Sequence, residues 1–226
     1  MIEDIRPFSS ILALPLFQGL NRNDLAEVVA QTKFAFSKTL SGYYITEKGK
    51  DCRELKFILS GNAECISSSD DKEYCIHETI EVPELIEPER LFGLDQKYTR
   101  SIKAISNCNI MEINKSEVLK LSDKFKIFRM NLLNIVSTKA QKGTKSLWIS
   151  PASSLEQNIA AFIAERCIYP KGQKTIDIKM KRLAEELNDS RLDVSRALKN
   201  IQAKGLVSLS RGKIMVPDLE KLTHQL

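Results

Sequence analysis

Arg191 and Arg196 stand five residues apart in a run that also carries Ser190, Leu192, Ser195 and Lys199. Advancing 100° per residue puts Val194, Ala197, Leu198 and Ile201 in one sector, the face of a helix that must be buried. Ser195, Lys199, Leu192 and Arg196 fall on the opposite side, with Arg191 at its edge. A guanidinium donates two parallel hydrogen bonds, the geometry that guanine O6 and N7 accept in the major groove of DNA, and an exposed leucine suits a thymine methyl. The bland alternative is a solvated charged face. The surrounding residues argue against it. Asn188-Asp189 makes a tight turn in which Asn takes a left-handed conformation, and Ser190 with Asp193 reads as a capping box that starts the next helix. Downstream, Ser210-Arg211-Gly212-Lys213 separates two short apolar segments as a hairpin with a basic tip. Arg211 and Lys213 there are suited to phosphate, which gives affinity without sequence information.

These residues need elements to hold them. Leu155 to Ala164 has helical spacing, Tyr169-Pro170-Lys171-Gly172 breaks it, Thr175 to Ile178 is a short strand, and Met180 to Leu187 is a second helix. Helix, helix-turn-helix and hairpin in that order describe a winged helix-turn-helix. Charge is concentrated in the same place. Residues 171–213 carry eleven Lys/Arg against five Asp/Glu, a balance of +6, while the whole 226-residue chain carries only +5, so the remainder sums to −1. A local excess of this kind fits a polyanionic partner.

Upstream, residues 33–114 alternate apolar and polar in short segments punctuated by turn signals such as Ser41-Gly42, Lys48-Gly49 and Ser60-Gly61-Asn62. That pattern predicts an antiparallel β-barrel or sandwich. From Lys115 the period turns helical. Phe125, Phe128, Leu132 and Ile135 form one row, and Leu133, Val136, Ala140 and Leu147 a second, as expected of a long helix that packs on its own barrel and on a partner helix. Gly143 and Ser150-Pro151 mark a hinge. The expected domains are therefore residues 1–121 as a sensor barrel, 122–149 as a dimerisation helix and hinge, and 150–226 as the winged module. Phe125, Phe128, Leu132, Ile135 and Val136 are the candidate dimer contacts.

The chain resembles the cyclic-AMP receptor protein / fumarate-nitrate reduction regulator (CRP/FNR) family of bacterial transcription factors. The resemblance rests on Leu14-Pro15-Leu16-Phe17-Gln18-Gly19-Leu20 at the start, Phe57-Ile58-Leu59-Ser60-Gly61-Asn62-Ala63 in the barrel, and residues 187–196 at the recognition segment. It implies an α+β chain: a cyclic-nucleotide-binding-like antiparallel barrel of the jelly-roll type, a long dimerisation helix and the winged module. The function it implies is sequence-specific regulation of transcription by a cytoplasmic homodimer on near-palindromic DNA, with RNA polymerase as a further partner. Where the family places a base-reading Glu, this chain has Leu192, so its operator should differ. The alternative is a small-molecule-binding module acting through protein contacts.

For the effector, Phe92-Gly93-Leu94 and Arg100-Ser101 resemble the family's nucleotide cassette, making Gly93, Leu94, Arg100 and Ser101 the candidate effector site. Leu94 replaces the ribose-binding Glu and the spacing is short, so cyclic AMP is not the expected ligand. An iron–sulfur cluster is excluded by the lack of any C-x₂-C pair among Cys52, Cys65, Cys75, Cys108 and Cys167. Cys75-Ile76-His77 has the spacing for a shared strand face, but a buried Cys beside a surface His is the plainer reading, and haem is not expected. The odd, scattered cysteines suit a reducing cytoplasm, and no apolar run reaches the length of a membrane span. With only His77 and His224 as imidazoles and no phosphate loop, metal cluster or Ser/His/Asp set, no enzyme is expected.

Overall fold

The computed structural model describes Ile11 and residues 14–145, 154–169 and 172–226, with the backbone alone for 142–145. The fold is α+β, with antiparallel strands through the N-terminal half and a winged helix-turn-helix at the C-terminus. The sheets are open rather than closed into a cylinder. Two compact units divide the chain, and they do not follow its order: the first holds residues 1–63, 81–99 and 104–147, the second 64–80, 100–103 and 148–226.

In the first unit, β1 (Phe34–Thr39), β8 (Cys108–Asn114), β3 (Glu54–Ser60) and β6 (Glu84–Ile86) form a four-stranded antiparallel sheet in that order. A short helix, α1 (Arg22–Gln31), is capped by Asn21, whose side chain accepts from Asp24 N at 2.8 Å. Beyond the sheet, α2 (Lys115–Lys124) and α3 (Lys126–Lys145) meet at Phe125, where the backbone turns extended. The predicted single helix is thus broken, and Phe125 is the pivot. Phe125, Phe128 and Leu132 are buried in the core of this unit; the Phe128 ring lies 5.4 Å from that of Phe17, which also meets Phe34 and Phe57. Asn131 fixes the contact by donating to the carbonyls of Leu16 at 3.2 Å and Gln18 at 2.8 Å. Ile135 and Val136 are half-buried, while Met130 and Leu133 stand exposed. The helix runs through Gly143, so that residue does not break it; Ser150-Pro151, the other hinge signal, and the basic Lys171 lie outside the described residues.

The second unit carries the winged module. Its helices are α4 (Leu155–Arg166), α5 (Met180–Leu187), α6 (Arg191–Ala203) and α7 (Leu219–Gln225). Its strands run β10 (Ser208–Ser210), β11 (Lys213–Val216), β9 (Lys174–Asp177), β5 (Cys75–Ile80), β4 (Ala63–Ser68), β7 (Ser101–Ala104). The winged module's sheet therefore continues into a hairpin from the N-terminal half of the sequence. The join is β5 on β9, antiparallel, with Cys75 opposite Asp177, Ile76 opposite Ile176, His77 opposite Thr175 and Glu78 opposite Lys174. Ile76 belongs to the same apolar core as Ile159, Phe162, Ile176, Leu198 and Val216.

Candidate nucleic-acid interface

α5 ends at Asn188, which adopts the left-handed conformation (φ 51°, ψ 47°) with its N–H on the carbonyls of Ala184 and Glu185. Among non-glycine residues, Asn tolerates that conformation best, so the corner between the two helices is written into one side chain. Two residues on, the Ser190 hydroxyl accepts from Asp193 N at 3.1 Å and donates to the Asp193 carboxylate at 2.7 Å. The cap orients the first turn of α6 and consumes Asp193, which also meets Arg196 at 3.4 Å.

Packing sets which face of α6 turns outward. Val194, Leu198 and Ile201 are fully buried and Ala197 nearly so. Arg191, Leu192, Arg196 and Lys199 are exposed and Ser195 is half-buried. Leu192 is 60% exposed, unusual for a leucine with no neighbour to cover it. The row predicted from the 100° step is therefore presented as one surface. On the wing, Ser210 pairs with Lys213 across the two-residue loop Arg211-Gly212, and Gly212 supplies the positive φ (73°) the loop requires. Arg211 is exposed. Lys213 is not a loose cation: its ammonium reaches the Asp177 carboxylate oxygens at 2.9 and 3.0 Å, a contact that raises its pKa.

The four candidate effector residues are placed as follows. Gly93 has φ +97° and nothing within 4 Å of a built Cβ, and Leu94 is fully exposed; both belong to the first unit. Arg100 and Ser101 belong to the second, where the Arg100 guanidinium donates to Ser67 Oγ at 3.1 Å.

Local spacing does not reveal what fastens the winged module to the β4–β5 hairpin. Glu78 and Lys174 are both fully buried and form an ion pair at 3.2 Å. The Glu78 carboxylate also accepts from Ile168 N at 3.0 and 3.1 Å and from Tyr169 N at 3.1 Å. At the hairpin tip, Arg182 of α5 reaches Asp71 at 2.9 Å and Glu73 at 3.6 Å. A signal was available: Glu78 interrupts the inward row Ile76, Ile80, and Lys174 interrupts the row Ile176, Ile178. Opposite charges on two apolar strand faces suggest partners.

Beside this pair, burial and the Glu78 charge push the Cys167 thiol up to about 12. Cys167 is therefore expected to resist alkylation at pH 8 in the folded chain and to react once the second unit unfolds, which mass spectrometry of iodoacetamide-treated protein reads directly. The linkage has a sign. Between the ordinary thiol pKa and about 12 the unfolded chain releases a proton that the folded chain keeps, so this thiol's contribution to stability falls as pH rises through that window.

Residues 157–225 match the model of the Crp-like helix-turn-helix domain. No curated protein matches the chain. Solved structures similar to it include the catabolite activator protein of Thermus thermophilus (18% identity, 94% of this chain and 100% of that one, TM-score 0.48). FixK2 of Bradyrhizobium japonicum is another (11% identity, 84% and 96%, TM-score 0.47). The sensor domain of the regulator DNR of Pseudomonas aeruginosa is a third (16% identity, 66% and 99%, TM-score 0.49). Among the described residues no helix is long and apolar enough to cross a membrane. The C-terminal module is therefore identified as a Crp-like helix-turn-helix domain.

Proposed function

We propose that the chain regulates transcription as a homodimer on near-palindromic DNA, with α6 in the major groove and the wing on the backbone. The observation that carries this is the outward row of α6, in which Arg191, Leu192, Arg196 and Lys199 are exposed directly beyond the Asn188 corner and the Ser190 cap. In a symmetric dimer the two helices would lie about 34 Å apart, one turn of DNA. The dimer seam proposed is the outward side of α3, where Met130 and Leu133 are exposed and Ile135 and Val136 half-buried. The N-terminal strands would serve as the sensor of a small molecule other than a cyclic nucleotide, since Leu94 offers no carboxylate to a ribose and stands in solvent. RNA polymerase is the proposed further partner on the promoter.

The test is selection of random duplexes by the full-length protein at physiological salt. A two-fold symmetric motif is expected, and Arg191→Ala should relax it at one position per half-site, at a cost of about 1–3 kcal/mol in discrimination. Arg211→Ala should instead weaken all sequences alike and lower the salt slope by about one. Retention without sequence preference, equal for wild type and Arg191→Ala, would sink the reading.

A further inference from the structure

The face of β5 opposite Glu78 carries Cys75 and His77, and across the β5–β9 join stands Asp177. Cys75 Sγ lies 3.2 Å from His77 Nε2, His77 Nε2 lies 3.7 Å from an Asp177 carboxylate oxygen, and the three groups' ligand atoms are all within 4.8 Å of one another. The second imidazole nitrogen, Nδ1, is 3.1 Å from the Glu64 carboxylate of β4. We propose that Cys75, His77 and Asp177 bind a single thiophilic divalent cation of the zinc class, with Glu64 as the residue that orients the histidine.

The two distances to His77 Nε2 fit the ion. In a tetrahedral site with metal–sulfur near 2.3 Å and metal–nitrogen or –oxygen near 2.0 Å, sulfur and nitrogen sit about 3.5 Å apart and nitrogen and oxygen about 3.3 Å. The observed 3.2 and 3.7 Å each need to change by only a few tenths of an ångström. With a neutral imidazole donating its Nδ1–H to Glu64, 3.1 Å away, the Nε2 lone pair would face the thiol and the carboxylate, the second-sphere arrangement that holds metal-bound histidines. Three ligand atoms on two strands converge on one point, which describes a bare ion rather than the axial face of a macrocycle. One soft sulfur, one imidazole and one carboxylate select zinc-like ions over magnesium or calcium. All three side chains are partly exposed, so water can fill a fourth position.

Binding balances in charge and protons. The Cys75 thiol loses its proton to solvent as the metal–sulfur bond forms, and thiolate and carboxylate together cancel the two charges of the cation. Lys213 contacts both oxygens of the Asp177 carboxylate, at 2.9 and 3.0 Å, and so competes with the cation for it. The ligands come from β5 and β9, so a bound ion would pin the winged module's sheet to the hairpin, stabilising the unit in proportion to metal concentration over dissociation constant.

The experiment titrates Co²⁺, then Zn²⁺, into tag-free, chelator-treated, reduced full-length protein. A sulfur-to-cobalt charge-transfer band saturating at one ion per chain is expected, bleached by zinc, together with a zinc-dependent rise in Tm. Cys75→Ser should abolish the band. His77→Gln should weaken binding at least tenfold and Glu64→Gln by about tenfold, whereas Lys213→Met should tighten it. Circular dichroism of each variant separates lost ligation from lost folding. A band that survives in folded Cys75→Ser, or the absence of one-to-one saturation in the wild type, overturns the proposal.

Discussion

Glu78→Ala is expected to destabilise the second unit by about 3–5 kcal/mol, the range for removing one partner of a buried ion pair. The carboxylate it deletes is fully buried and serves three donors: the Lys174 ammonium and the backbone N–H groups of Ile168 and Tyr169. Alanine leaves the ammonium buried without its counter-charge and takes the acceptor from two amides. Lys174→Met should cost less, because the carboxylate keeps its two amide donors. Pairing Lys174→Met with Glu78→Leu should recover part of the loss, since apolar residues on those strand faces would join Ile76, Ile80, Ile176 and Ile178 without a charge to desolvate. The recovery stays incomplete while the amides of Ile168 and Tyr169 lack an acceptor. Urea denaturation of the full chain gives the energies, and hydrogen exchange at residues 168 and 169 gives the location. A Glu78→Ala midpoint equal to wild type, with those amides still protected, would show that the pair is not what holds β5 on β9.

That ion pair also shows where sequence reading stops. The corner at Asn188, the Ser190 cap, the buried and outward faces of α6 and the wing are all local: each depends on residues within one or two turns, and each was legible from spacing alone. The pairing of β5 with β9 joins residues about a hundred positions apart. Strand propensity marks both segments as strands but cannot name their neighbour, because any two strands with compatible faces could pair. The break at Phe125 was missed for a different reason. Its apolar spacing fits the helical row, and the backbone there turns extended (φ −110°, ψ 100°) where Phe125 and Phe128 enter the core beside Phe17; periodicity does not register such a tertiary demand. Similarly, Cys75 and His77 looked like a lone pair on a strand. Asp177, the residue that gives them company, arrives only through the long-range register.

Gly61→Ala tests the first unit in the same terms and should be nearly as costly. Gly61 has φ +103°, a region an L-residue enters only with strain, at about 1–2 kcal/mol. Space compounds the strain: a Cβ there would lie 2.5 Å from the Asn107 carbonyl oxygen and 2.9 Å from Cys108 Cα, both backbone atoms. Neither can step aside cheaply, because Asn62 of the same turn is held by Ser106 Oγ at 2.9 Å and its own carbonyl accepts from Ile105 N at 2.8 Å. Forcing an extra carbon into such a contact costs about 1–3 kcal/mol more. Gly61→Ala should therefore lose about 2–5 kcal/mol. At Gly42, where a Cβ meets nothing within 4 Å at φ +88°, alanine carries the conformational part alone. The difference between the two variants isolates the close approach of the turn to Asn107 and Cys108. If thermal or urea unfolding gives the same loss for both, the turn can open and the contact does not hold it.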